Sequence, residues 1–310
     1  NAAGSGAVFI FFVPVLLRYL RPVFSRKLFG IYFAFGFPII FSSLGKNLLD
    51  LADRWILDRL LGAETVAYYS AGYQLAAVAN LAVAAFTLAW KPFLVRAAAE
   101  SDPGRTFSRI MTLSVAALLI LFLAVSFFAD DLVGVRLFGY HLIKESYWPG
   151  LAVIPPVMIS YVFFGIYVNL TVGCDLTGHT HYYAWTTGAA AAFNVAANFL
   201  LIPWLGMMGS AWATLAAYVL QAAILYLLTR KLYPVSYDWG RLSLAFGLAL
   251  GFYAIFKLVE YGSAALVSQP LRILFEGSLL AAWCVLMVLT RTVEASGLTR
   301  LFRRDSASES

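Results

Sequence analysis

The 310 residues are 62% hydrophobic and only 12% charged, and the formal net charge is +6. Soluble domains run nearer half apolar and a quarter charged, so an ordinary water-soluble enzyme is excluded. The basic excess does not point to nucleic acid, because Lys and Arg are spread through short loops between apolar runs, where orientation signals belong.

Nine apolar segments follow in chain order: Gly4 to Leu20, Leu28 to Leu49, Val66 to Trp90, Ile110 to Ala129, Trp148 to Val172, Tyr182 to Ile202, Met207 to Leu228, Leu242 to Val259 and Leu271 to Leu289. Runs of about 20 residues match a hydrocarbon layer of roughly 30 Å. Helix is the expected state, because a backbone in lipid must satisfy its own hydrogen bonds. Barrel strands would alternate polar and apolar residues, and these runs do not. The chain starts at Asn1 with neither Met nor a charged leader. It reads as a fragment lacking its N-terminal part, not as a signal peptide.

Charge placement gives an independent check. With the compartment after the first segment taken as inside, 15 of the 22 basic residues fall inside, among them Arg18, Lys27, Lys91, Arg105, Arg230 and Arg303. The outside set is Lys46, Arg54, Arg59, Arg136, Lys144, Lys257 and Arg272. This bias puts the C-terminus in the cytoplasm. The loop at Cys174 to His181 has no Lys or Arg and adds nothing to it. Tyr68, Tyr69, Tyr73, Trp90 and Trp148 lie near segment ends, where aromatic belts are expected. Pro14, Pro38, Pro155 and Pro156 fall inside segments, and Pro38 should kink its helix.

The strongest polar signal closes the second segment. Lys46, Asp50, Arg54 and Asp58 are spaced four apart and form one ladder of alternating sign, with Asp53 beside it. Lys46 lies about 27 Å along the helix from Leu28. Either the ladder emerges into water, or it lines a hydrated cavity that binds a charged headgroup, since membrane charges usually face such cavities. Asn194 and Asn198, also four apart, suit helix bridging ahead of substrate contact. The stretch Gly206 to Ala213 suggests a tight turn between closely packed helices.

The weaker candidates carry less. Lys257 and Glu260 are placed to snorkel at a segment end, and Glu276 reads as interfacial. His179, His181 and Asp175 are too few for a metal site. The sequon at Asn169 falls inside an apolar run, and Cys174 and Cys284 are not expected to pair. No phosphate-cradling Gly loop and no nucleophile with a base is present. No cofactor is expected.

Two stretches carry a family resemblance. The first runs from Asp53-Arg54-Trp55-Ile56-Leu57 through Gly62-Ala63-Glu64-Thr65 to Ala71-Gly72-Tyr73, then Ala89-Trp90-Lys91-Pro92-Phe93. The second runs from Asn194 through Asn198 to Pro203, then Gly206, Gly209, Ser210 and Thr214. They resemble the C-terminal half of polysaccharide-biosynthesis flippases of the multidrug/oligosaccharidyl-lipid/polysaccharide exporter superfamily. The resemblance implies an all-α membrane protein of about nine transmembrane helices. Residues 1–27 would be the last helix of a missing lobe plus a linker, and 28–230 a six-helix C-lobe. Residues 231–292 would form an extra helix pair, and 293–310 a polar cytoplasmic tail.

It further implies flipping of an undecaprenyl-diphosphate-linked oligosaccharide across the bacterial inner membrane, without enzyme activity. Lys46, Asp50, Asp53, Arg54, Asn194 and Asn198 would serve the headgroup cavity. Partners would be that lipid-linked oligosaccharide, membrane lipids and a polysaccharide polymerase or assembly protein, with no nucleic acid. The rival in the same superfamily is a cation-coupled multidrug antiporter. The rival from another class, a membrane glycosyltransferase or polysaccharide polymerase, would need a sizeable outer loop or a catalytic acid cluster, and the short loops argue against it.

Overall fold

The structure is a computed structural model that describes residues 2–19, 24–137, 140–141, 143–263, 269–290 and 292. Eleven α-helices appear among the described residues: α1 (Ala2–Tyr19), α2 (Arg26–Leu61), α3 (Ala63–Ala76), α4 (Val78–Ala97), α5 (Pro103–Gly134), α6 (Ile154–Leu170), α7 (Val172–Thr177), α8 (His181–Leu205), α9 (Met207–Leu232), α10 (Trp239–Ser263) and α11 (Gln269–Leu289). A 3-10 helix, Glu145–Val153, leads into α6. Among the described residues the one sheet element is a hairpin of β1 (Arg136–Leu137) and β2 (Tyr140–His141).

These helices form nine rods, one for each apolar segment. The boundary between α3 and α4 is slight: at Ala77 the N–H still donates to Tyr73 O (2.9 Å), and the carbonyl accepts from Leu81 N–H (3.1 Å). The fifth rod joins the 3-10 helix, α6 and α7, and Asp175 N–H donating to Thr171 O bridges its lower break. Pro155 and Pro156 stand in the first turn of α6, where a missing N–H leaves no hydrogen bond broken. Seven rods are long and apolar enough to cross a membrane: α4, α5, the 145–177 rod, α8, α9, α10 and α11. Helix α2 has 36 residues, about 54 Å of axis, and so outruns the hydrocarbon layer.

Helix α6 is the centre of the bundle and is buried nearly all round. It packs on α9, α5, α3 and α4, while α8 lies between α9 and α2. Helices α10 and α11 add to the far side through α5. The core runs through Leu119, Phe122 and Phe127 of α5 to Val157 and Val162 of α6 and Leu225 of α9. Large apolar groups elsewhere are exposed, such as Phe11 of α1, Trp55 of α2 and Trp204 of α8. Hydrocarbon is the solvent that suits such a surface.

Two backbone approaches need glycine. A Cβ on Gly72 of α3 would overlap the Gly150 carbonyl, and a Cβ on Gly150 would overlap the Tyr68 carbonyl. At the α8–α9 turn, Gly206 has φ of 60°, and a Cβ on Gly209 would strike the Leu201 carbonyl. The expected tight turn into a close-packed helix is present there.

Three of the five rings expected in an aromatic belt face the protein interior. Tyr69, Tyr73 and Trp90 are buried in the core. Exposed rings near helix ends include Trp185 and Trp204 of α8 and Trp239 and Tyr261 of α10. Cys174 and Cys284 are both free.

Candidate functional site

Among the described side chains of the second helix, one carboxylate turns inward. Ala52, Asp53, Ile56 and Leu57 form its buried face, while Asp58 and Arg59 are exposed. The inward acid is therefore Asp53, the one that stands off the four-spaced ladder. The side chains of Lys46 and Asp50, and of Pro38 further down, lie outside the described residues. No contact is assigned to them.

Asp53 is 1% exposed, and three neutral donors from three other helices hold it. Tyr69 of α3 donates to Oδ2 through its hydroxyl at 3.0 Å. Thr214 of α9 donates to the same oxygen at 2.7 Å. Asn198 of α8 donates to Oδ1 through Nδ2 at 2.8 Å. Asn198 Nδ2 also reaches the carbonyl oxygen of Asn194 at 2.9 Å. Asn194 in turn donates to Thr214 Oγ1 at 3.4 Å. One acid thus ties α2, α3, α8 and α9 together. A lone buried carboxylate is costly to leave unsatisfied, so this ring of donors lets Asp53 exist in an apolar bundle. Two helical turns away from Asn194, Gln221 of α9 donates to Thr187 of α8 at 2.9 Å and extends the polar seam.

Arg54 occupies the margin of this cluster. Its Nε donates to Ser70 Oγ at 3.3 Å, and its guanidinium lies 5.2 Å from the Tyr73 ring centre. Tyr73 Oη accepts from Tyr161 Oη at 3.0 Å, so the cation is backed by a ring that α6 holds in place. Four sequence candidates, Asp53, Arg54, Asn194 and Asn198, fall within this one region. Sequence reasoning missed Tyr69, Thr214 and Tyr73. The spacing Tyr69, Gly72, Tyr73, Ala76 is that of a buried helix face. Their position near a segment end had pointed to the membrane surface instead.

Charge at the two ends of the bundle is arranged differently. At the end holding Lys91, that residue bridges from α4 to Asp175 of α7 at 3.0 Å. Asp175 also accepts from the hydroxyls of Tyr183 (2.6 Å) and Thr171 (3.2 Å). The loop that lacked basic residues is thus served by a lysine from another helix. His179 bonds Thr177, apart from that cluster. A cleft of about 1030 Å³ opens at this end between the start of α5 and residues 233–241. Arg105, Arg109 and Arg241 line it together with Asp102 and Asp238, which cap α5 and α10.

At the opposite end, Arg272 of α11 binds Asp130 of α5 at 3.1 Å and Glu276 at 2.9 Å. Glu276 is enclosed by protein while its carboxylate faces this arginine. Lys257 is paired with Glu260 at 2.6 Å. Asn169 donates inside the bundle, to Ser114 Oγ and Gly165 O.

Apolar helical rods around an internal polar seam define an all-α, multi-pass membrane protein. Residues 2–98, which span α1 to α4 and the segment Asp53 to Phe93, match the family model described as polysaccharide biosynthesis protein. No curated protein and no solved structure matches.

Proposed function

We propose that this chain is part of a polysaccharide-biosynthesis transporter that flips a lipid-linked oligosaccharide across the bacterial inner membrane. The observation that carries this reading is the internal seam around Asp53, with Arg54 at its margin; Asp53, Arg54 and Tyr69 fall inside the stretch matching the polysaccharide-biosynthesis family, and Asn194, Asn198 and Thr214 beyond it. A diphosphate headgroup needs a cation that is shielded from lipid. Arg54 is half-buried and rests on a hydroxyl and a ring. In this reading residues 28–230 act as one lobe of a rocking pair. Lys46 and Arg54 bind the headgroup, Asp50 balances them, and residues 231–292 are an accessory helix pair. A polymerase or assembly protein receives the product.

The test is reconstitution in vesicles with a fluorescent undecaprenyl-diphosphate sugar, scored by accessibility to a membrane-impermeant quencher. The intact protein should speed transfer between leaflets, and Arg54→Ala and Lys46→Ala should each slow it by roughly tenfold or more, as expected when a charge-assisted contact is lost. Unchanged flipping in both variants would remove the site assignment.

One observation favours a second reading. The cluster's buried charge is acidic, and the donors to Asp53 are all neutral. Such a carboxylate also suits a cation-coupled multidrug antiporter. Drug efflux that stops on collapse of the ion gradient, with no flipping of the lipid probe, would select it.

A further inference from the structure

A second pocket, of about 390 Å³, lies at the Arg272 end between α5, the 3-10 helix and α10. That is within the range of roughly 300–1,000 Å³ for small-molecule sites. It shares no residue with the Asp53 seam. Its walls include Ser126 and Asp130 of α5, Trp148 and Ala152 of the 3-10 helix, and Tyr253 and Lys257 of α10.

The indole is held in place before any ligand arrives. Trp148 donates Nε1–H to Ile143 O at 3.1 Å, and its ring meets His141 edge-on at 5.6 Å. His141 is itself fixed to Glu145 at 3.0 Å. Tyr253 is set by its ring contact with Phe122 at 5.6 Å. The pocket therefore presents two ordered aromatic walls.

Its polar groups are of two kinds. The charged ones are already balanced: Asp130 Oδ2 by Arg272 and Lys257 by Glu260. The others are hydroxyls. Ser126 is nine-tenths buried, and its Oγ has no hydrogen-bond partner among the described residues. Tyr253 brings a second hydroxyl on a half-buried side chain. Each is both donor and acceptor, and a buried hydroxyl left unmade, as at Ser126, is costly. Asp130 Oδ1 adds a further acceptor.

Stacking surfaces, open hydroxyls and a carboxylate oxygen, with no surplus charge, complement a neutral ring that carries both C–H faces and hydroxyl groups. We infer that this pocket binds a single neutral sugar ring. A zwitterionic lipid headgroup would have to compete with the Arg272 and Glu260 pairings for the same two charges. The inference stands apart from the flipping proposal, because none of the residues assigned to flipping is involved.

The full chain, in phosphatidylglycerol nanodiscs, would be titrated with glucose, galactose and N-acetylglucosamine, reading saturation-transfer difference NMR. At least one sugar should give a saturable signal. Trp148→Ala should weaken it by roughly tenfold. Ala152→Phe, at an exposed position, should fill the pocket and abolish binding while helicity by circular dichroism is kept. Arg54→Ala should leave binding intact whether or not it affects flipping. Absence of a saturable signal for all three sugars overturns the inference. So does binding that survives Ala152→Phe, or a signal that phosphoethanolamine both displaces and replaces.

Discussion

Asp53 shows how a residue that looks misplaced in an apolar helix becomes a structural centre. Its two oxygens take three hydrogen bonds from three helices. Each net contribution is modest, but the orphaned partners cost more when the acceptor is removed. Asp53→Ala leaves the Tyr69 hydroxyl and the Thr214 hydroxyl without an acceptor on α2. The expected destabilisation is about 3 kcal/mol or more, at roughly 1–3 kcal/mol per stranded buried group. Tyr69→Phe removes one donor and leaves two, so about 1 kcal/mol is expected. Reversible unfolding in mixed micelles checks both. An Asp53→Ala loss no larger than that of Tyr69→Phe would show that the cluster does not act as one network.

At the scale of elements, glycine decides where helices touch. Gly72 and Gly150 put α3 and the 3-10 helix in backbone contact, and neither site has room for a methyl group. Backbone cannot swing aside as a long side chain can. Gly150→Ala should therefore destabilise by at least the roughly 1–3 kcal/mol typical of overpacking, whereas Gly36→Ala in α2, with open space around it, should not. Thermal unfolding of the two variants side by side separates them.

The nine rods were legible in the sequence because hydropathy over about 20 residues is a long, redundant signal. The Gly72–Gly150 contact was not, since nothing in local sequence pairs two residues so far apart. The same limit hid the donors around Asp53. The Asn194–Asn198 spacing announced a polar helix face, but Tyr69 and Thr214 lie on other helices. Composition alone could not join them to an acid on α2. Glu276 shows the same limit: its place in the chain gave no sign that packing of α11 on α5 and α10 would enclose it.

At the scale of the whole molecule, orientation is carried by charge at the ends of the rods. Contacts assign the ends independently of any charge rule. The Lys91–Asp175 pair and the Asp238 N–H bond to Ser108 Oγ gather the starts of α5 and α10 with the ends of α4 and α7. The Arg272–Asp130 pair gathers the start of α11 with the end of α5. The first end also carries Arg96, Arg105, Arg109, Arg230 and Lys231, and by the positive-inside rule we propose that it faces the cytoplasm. Exposed serines mark each end: Ser101 beside the start of α5, and Ser146 in the 3-10 helix. With Cys174 and Cys284 replaced by Ala, Ser146→Cys should react with a membrane-impermeant maleimide in intact cells. Ser101→Cys should react only after the membrane is opened. The opposite pattern would invert the orientation, moving the sugar pocket beside Trp148 to the cytoplasmic face and reversing the direction in which the proposed headgroup site would load.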